Sequence, residues 1–102
     1  MALQILKNDE NNQTVLTLSG RVDGVTSAEL QTALDETLAE NKNDIIINLH
    51  DVAYISSAGL RVLLSTEKRC RPENRRQIIK GVNSSVMEIF DLTGFSGILT
   101  VE

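Results

Sequence analysis

The sequence has a single cysteine, Cys70, and a lone thiol cannot close an internal disulfide, so nothing ties the chain to an oxidising compartment. It also has a single histidine, His50, and one cysteine with one histidine do not make a metal-ligand set. Tryptophan is absent, and Tyr54, Phe90 and Phe95 are too few rings for the stacking platforms that hold single-stranded nucleic acid. No apolar run approaches the ~20 residues of a membrane span, and residues 1–7 are too short and too polar for a signal peptide. The expectation from these absences is a cytoplasmic protein that needs no metal and no cofactor.

Charge of one sign is also in short supply. Ten basic side chains stand against 14 acidic ones, for a formal net charge of −4. An acidic domain repels phosphate backbones and anionic lipid, which argues against nucleic acid and membrane surfaces as partners. The basic cluster Lys68, Arg69, Arg71, Arg75 and Arg76 is the exception, and it reads as a helix end and the loop after it, a solvated face.

What is present suits one small domain spanning residues 1–102, with 41% apolar residues, enough for one core but no spare layer for a deep substrate cavity. Residues 2–6 suggest a first strand, with 8–12 as the turn after it, and the alternating Val15, Leu16 and Leu18 a second. Thr26 and Glu29 fit a capping box that opens a helix to about Glu40, with Leu30, Ala33, Leu34 and Leu38 on its apolar face. Ile45, Ile46 and Ile47 form a β-branched run suited to a central strand covered on both faces, and 50–55 reads as a loop. A second helix follows from Ser57 to about Arg69, then a strand over 77–80. Ser84 and Ser85 cap a third helix whose Val86, Met87, Ile89, Phe90 and Leu92 face inward, Gly94 stops it, and 98–101 makes a last strand. Strands alternating with helices imply an α/β fold, with a mixed but largely parallel sheet of four to five strands and the amphipathic helices packed mainly on one face.

Function concentrates where the central strand runs into the second helix. Ser56 and Ser57 lie at that helix start, and a single N-cap needs only one of them. Gly59 sits in the first turn at a cost of up to ~1 kcal/mol relative to alanine, which calls for a close approach by another backbone or a partner. A phosphate added here suits a helix N-terminus, so the fold survives modification, while a partner packed over the same spot must bury the charge. Asp23, in the turn after the second strand, falls on the same sheet edge.

Enzyme readings are poor. His50 is the only base near the serines, and there is no Gly-x-Ser-x-Gly elbow, no Gly-x-x-x-x-Gly-Lys-Ser/Thr loop and no Gly-x-Gly-x-x-Gly fingerprint. A Ser57/His50 hydrolase therefore ranks last, and the chain is not expected to be an enzyme.

Four segments together resemble the STAS family, and in particular its stand-alone bacterial anti-sigma-factor antagonists. They are Leu18, Gly20, Val22 and Asp23; residues 46–49; residues 54–64, from Tyr54 through the serines and Gly59 to Leu64; and residues 89–95, Ile-Phe-Asp-Leu-Thr-Gly-Phe. The resemblance implies a partner switch. The unphosphorylated antagonist binds a GHKL-type serine kinase that doubles as an anti-sigma factor, phosphorylation releases it, and a PP2C-type phosphatase resets the cycle. By position the phosphoacceptor is Ser57, with Ser56 the second candidate, because Ser56 stands where the sporulation and general-stress members carry Asp. Asp23, Ser56, Ser57, Ala58, Gly59 and Arg61 are the expected partner-binding residues, and the domain is expected to be a monomer or weak dimer. The alternative is a STAS module that binds or scaffolds constitutively and is never phosphorylated.

Overall fold

The computed structural model describes residues 3–102; of the expected first strand, Ala2 lies outside them. The elements are β1 (Gln4–Glu10), β2 (Gln13–Val22), α1 (Thr26–Glu40), β3 (Asp44–Ile55), α2 (Ser57–Cys70), β4 (Gln77–Lys80), α3 (Ser84–Thr93) and β5 (Thr100–Val101). They build one five-stranded sheet in the order β1-β2-β3-β4-β5, with β1 antiparallel to β2 and every later pair parallel. Each βαβ step moves the same way across the sheet, and because such crossovers are right-handed, all three helices fall on one face.

The burial pattern bears this out. Leu16, Leu18, Ile45, Ile47, Leu49 and Ile79 join α1, α2 and α3 residues in a single core, whereas Ile46 and Ile78 stand outside that cluster. The run Ile45–Ile46–Ile47 is therefore not covered by helices on both faces, as its composition suggested. Ile46 is buried on the uncovered face between its strand neighbours Val15 and Ile78.

Three further expectations are corrected. First, β1 runs on to Glu10, and the turn shrinks to Asn11 and Asn12, with φ of 50° and 63°. Two consecutive left-handed residues match the right-handed twist of a hairpin, and Asn tolerates that region. The strand was hard to read because it is a polar edge, and charged side chains are what keep a free edge from pairing.

Second, residues 50–55 are not a loop but the second half of β3. Two register shifts against β2 give β3 extra residues, one between the Thr17 and Ser19 pairings and one between those of Gly20 and Arg21. Each bulge breaks the two-residue alternation, so Leu49, Val52 and Ile55 are buried at intervals of three. Third, Leu92 does not face inward: it is 80% exposed, while Phe90 is fully buried.

The basic cluster divides. Arg69 pairs with Asp35, and Arg76 is exposed near Glu102. Arg75 is instead only 5% exposed, donating to Asn43 O at 2.9 Å and Leu38 O at 3.1 Å. It stitches the end of α1 to the loop before β4, so for this residue a solvated face is wrong.

Candidate functional site

The carboxyl ends of the parallel strands form the edge where α/β sheets expose their functional loops. Here β2 delivers Asp23, β3 delivers the two serines, and β4 delivers Asn83, the first residue outside α3. The start of α2 is pinned to the end of β2 by Ser56 N donating to Val22 O at 2.7 Å.

The serines take different roles. Ser56 is the N-cap of α2: its backbone is extended, and its Oγ accepts from Gly59 N at 3.2 Å. Ser57, the first residue of the helix, is exposed and makes no side-chain hydrogen bond among the described residues. Ala58 is half-buried beside it, and Arg61, one turn on, is exposed.

Gly59 belongs beneath this surface and not on it. It is buried, and a Cβ there would lie 2.6 Å from Val22 Cγ1 and 2.8 Å from Ile55 Cγ1. The missing side chain lets the first turn of α2 settle onto the ends of β2 and β3, which holds Ser57 outward. Gly59 thus supports the start of α2 from beneath.

Asp23 is likewise engaged within the fold. Its Oδ1 accepts from Thr26 N at 2.9 Å and Val25 N at 3.0 Å, while Asp23 N donates to Thr26 Oγ1 at 2.9 Å. This reciprocal pair replaces the Thr26/Glu29 capping box, since Glu29 is exposed and makes no such bond among the described residues. The backbone N–H of Thr26 is the main reason the Asp23 carboxyl sits below its ordinary range. In α3 the cap is Asn83, not the serines after it. Its Oδ1 accepts from Val86 N at 3.0 Å, and its Nδ2 donates to Val52 O at 2.7 Å, tying the helix to the bulged strand.

Three further exposed residues lie outside the expected set. The second bulge sets Tyr54 opposite Arg21, whose guanidinium stacks 4.7 Å from the ring centroid. Val25, at the turn into α1, is 79% exposed. No local pattern announces the Arg21–Tyr54 pair, because its juxtaposition comes from strand register.

Among the described residues there is no hydrogen bond between Ser57 and His50, no ligand-sized cavity and no metal-binding group of acidic, His and Cys side chains. None of the described helices is long and apolar enough to cross a membrane. Cys70 is buried, which pushes its thiol up and away from reactivity.

The family model for the STAS domain matches residues 3–102. The chain belongs to the STAS domain family. This STAS domain is 30% identical over 84 residues to the anti-sigma-B factor antagonist of Staphylococcus epidermidis, covering 82% of this chain and 78% of that one. It is 34% identical over 61 residues to the anti-sigma-F factor antagonist RsfB of Mycobacterium tuberculosis, where the match covers 60% of this chain but spans only half the length of the relative. In structure it resembles an anti-sigma factor antagonist from Mycobacterium paratuberculosis, with a TM-score of 0.87 at 23% identity over 97% of this chain and 84% of the other. That last likeness establishes the fold alone.

Proposed function

We propose that this STAS domain is an anti-sigma-factor antagonist of a bacterial partner switch, controlled by phosphorylation of Ser57. The unphosphorylated domain binds a GHKL-type serine kinase that also acts as an anti-sigma factor. Ser57 Oγ attacks the γ-phosphorus of the kinase's ATP, the bond to the β–γ bridging oxygen breaks, and ADP leaves. The kinase must supply the base that takes the hydroxyl proton. A PP2C-type phosphatase returns the serine by hydrolysing the phosphoester to inorganic phosphate.

The observation that carries this reading is the division of labour between adjacent hydroxyls. Ser56 is spent on the cap, and Ser57 is free on the surface with the helix N-terminus beneath it. A phosphate there meets unpaired backbone N–H groups and leaves the fold intact, yet it places a charge in any surface docked over the start of α2.

The test pairs the domain with GHKL-type kinases encoded in the same genome. Intact mass after incubation with ATP should rise by one phosphate in the wild type and not in Ser57→Ala. Ser57→Asp should bind the kinase at least ~100-fold more weakly by calorimetry, a change of about 2.7 kcal/mol. No added mass with any such kinase would overturn the switch, and unchanged affinity of Ser57→Asp would favour a constitutive binding module.

A further inference from the structure

We infer that Arg61 is the intramolecular partner of the phosphate on Ser57, an ion pair formed only in the modified protein. The inference rests on the reading of Ser57 as phosphoacceptor and adds to it the residue that receives the charge.

Ser57 and Arg61 are four residues apart in α2, so they lie on one stripe of the helix with Cβ atoms roughly 5–6 Å apart. Helical side chains lean toward the N-terminus, so the Arg61 stem covers the turn that carries Ser57. Both residues are exposed, and neither has to leave a packed position to meet the other.

Arg61 is also uncommitted. Further along the same helix, Arg69 is held by Asp35, and Arg71, just past its end, is held by Glu67. Among the described residues no carboxylate or carbonyl holds Arg61, and the first turn of α2 contains no acidic residue to compete for it. The other arginine of this edge, Arg21, is occupied by the face of Tyr54. A phosphate dianion offers three acceptor oxygens, and a guanidinium binds two of them in parallel, which a lysine ammonium does not. The helix N-terminus contributes to any anion at Ser57, but the claim concerns Arg61 alone.

The test uses the full chain with phosphoserine incorporated co-translationally at position 57, followed by 31P NMR through the second phosphate ionisation. Pairing favours the dianion, so the wild-type phosphate should lose its last proton at lower pH than in Arg61→Gln, by roughly 0.2–0.7 pKa unit for an exposed pair. Arg61→Lys should recover part of the difference, and ~1 M salt should shrink it. The helix terminus and the other charged groups of this edge (Arg21, Asp23, His50 and Asp51) are the same in these chains and cancel. Identical titrations in the wild type and Arg61→Gln would overturn the inference, as would a shift produced by Arg21→Gln and not by Arg61→Gln. Because the phosphoserine is built in, no kinase is involved. A chain that titrates as expected but is never phosphorylated by a kinase would sink the proposed function and leave this pairing standing.

Discussion

The Oγ of Ser56 accepts the backbone N–H of Gly59 at 3.2 Å, and this contact leaves Ser57 as the free hydroxyl at the start of α2. Removing the two hydroxyls should therefore do different things. Ser56→Ala loses a cap and should cost ~1 kcal/mol in urea unfolding while still accepting phosphate. Ser57→Ala should leave stability nearly unchanged and abolish phosphate uptake by mass. The opposite pattern would reassign the acceptor.

Gly59→Ala puts a methyl 2.6 Å from Val22 Cγ1 and 2.8 Å from Ile55 Cγ1, both on β-branched side chains with little room to rotate. Overpacking of this kind costs typically ~1–3 kcal/mol, and alanine's better helix propensity returns at most ~1 kcal/mol. The expected result is a net loss of stability in chemical denaturation. A more stable Gly59→Ala protein would show that the glycine does not serve close packing.

The Asp23 carboxylate should leave a pH signature. Its folded pKa lies below the ordinary value because it accepts backbone N–H groups, first that of Thr26. Such a group contributes stability above the unfolded pKa of about 3.9 and loses it as pH falls through the lower folded value. Asp23→Ala should melt below the wild type at pH 7, and the gap should narrow as pH drops below about 4. A gap independent of pH would mean that the carboxylate charge is not what holds the turn.

Arg75 and Arg76 are neighbours in sequence with opposite fates. Arg75→Met strands the carbonyls of Leu38 and Asn43, and each buried acceptor left unpaired costs roughly 1–3 kcal/mol. Arg75→Lys should recover little, because an ammonium lacks the planar fork. Arg76→Ala, at the surface, should stay within ~0.5 kcal/mol of the wild type.

A similar contrast holds in α3. Phe90→Ala should cost about 3–5 kcal/mol, the usual loss for an emptied aromatic core site. Leu92→Ala, at an 80% exposed position, should be close to neutral. Equal losses at both positions would mean that α3 packs with a different face.

Much of the architecture was legible because it follows from local periodicity. The alternation in Leu16 and Leu18, the helical spacing of Leu30, Leu34 and Leu38, and the glycine stop at Gly94 each state a secondary structure within a few residues. Three βαβ units after a hairpin then leave few topologies open, and right-handed crossovers choose among them. The serine pair was legible for a similar reason, since a helix start announces itself by its cap.

What stayed hidden depends on contacts between distant segments. The bulges in β3 exist only relative to the register of β2, and they decide that 50–55 is strand and that Tyr54 lies opposite Arg21. The capping of α1 by Asp23 rather than by Thr26 and Glu29 depends on how β2 ends. Leu92 reads as core by hydropathy, but its direction is set by which side of α3 the sheet takes.

By itself, then, the order of residues determined most of the elements, their sequence along the chain and the place of Ser56 and Ser57 at a helix start, because each is a short-range matter of propensity and spacing. Only the folded packing decided which hydroxyl is free, why Gly59 must be glycine, and which arginines are buried, stacked or left at the surface. Those outcomes turn on ångström-scale distances between segments that lie far apart in the chain.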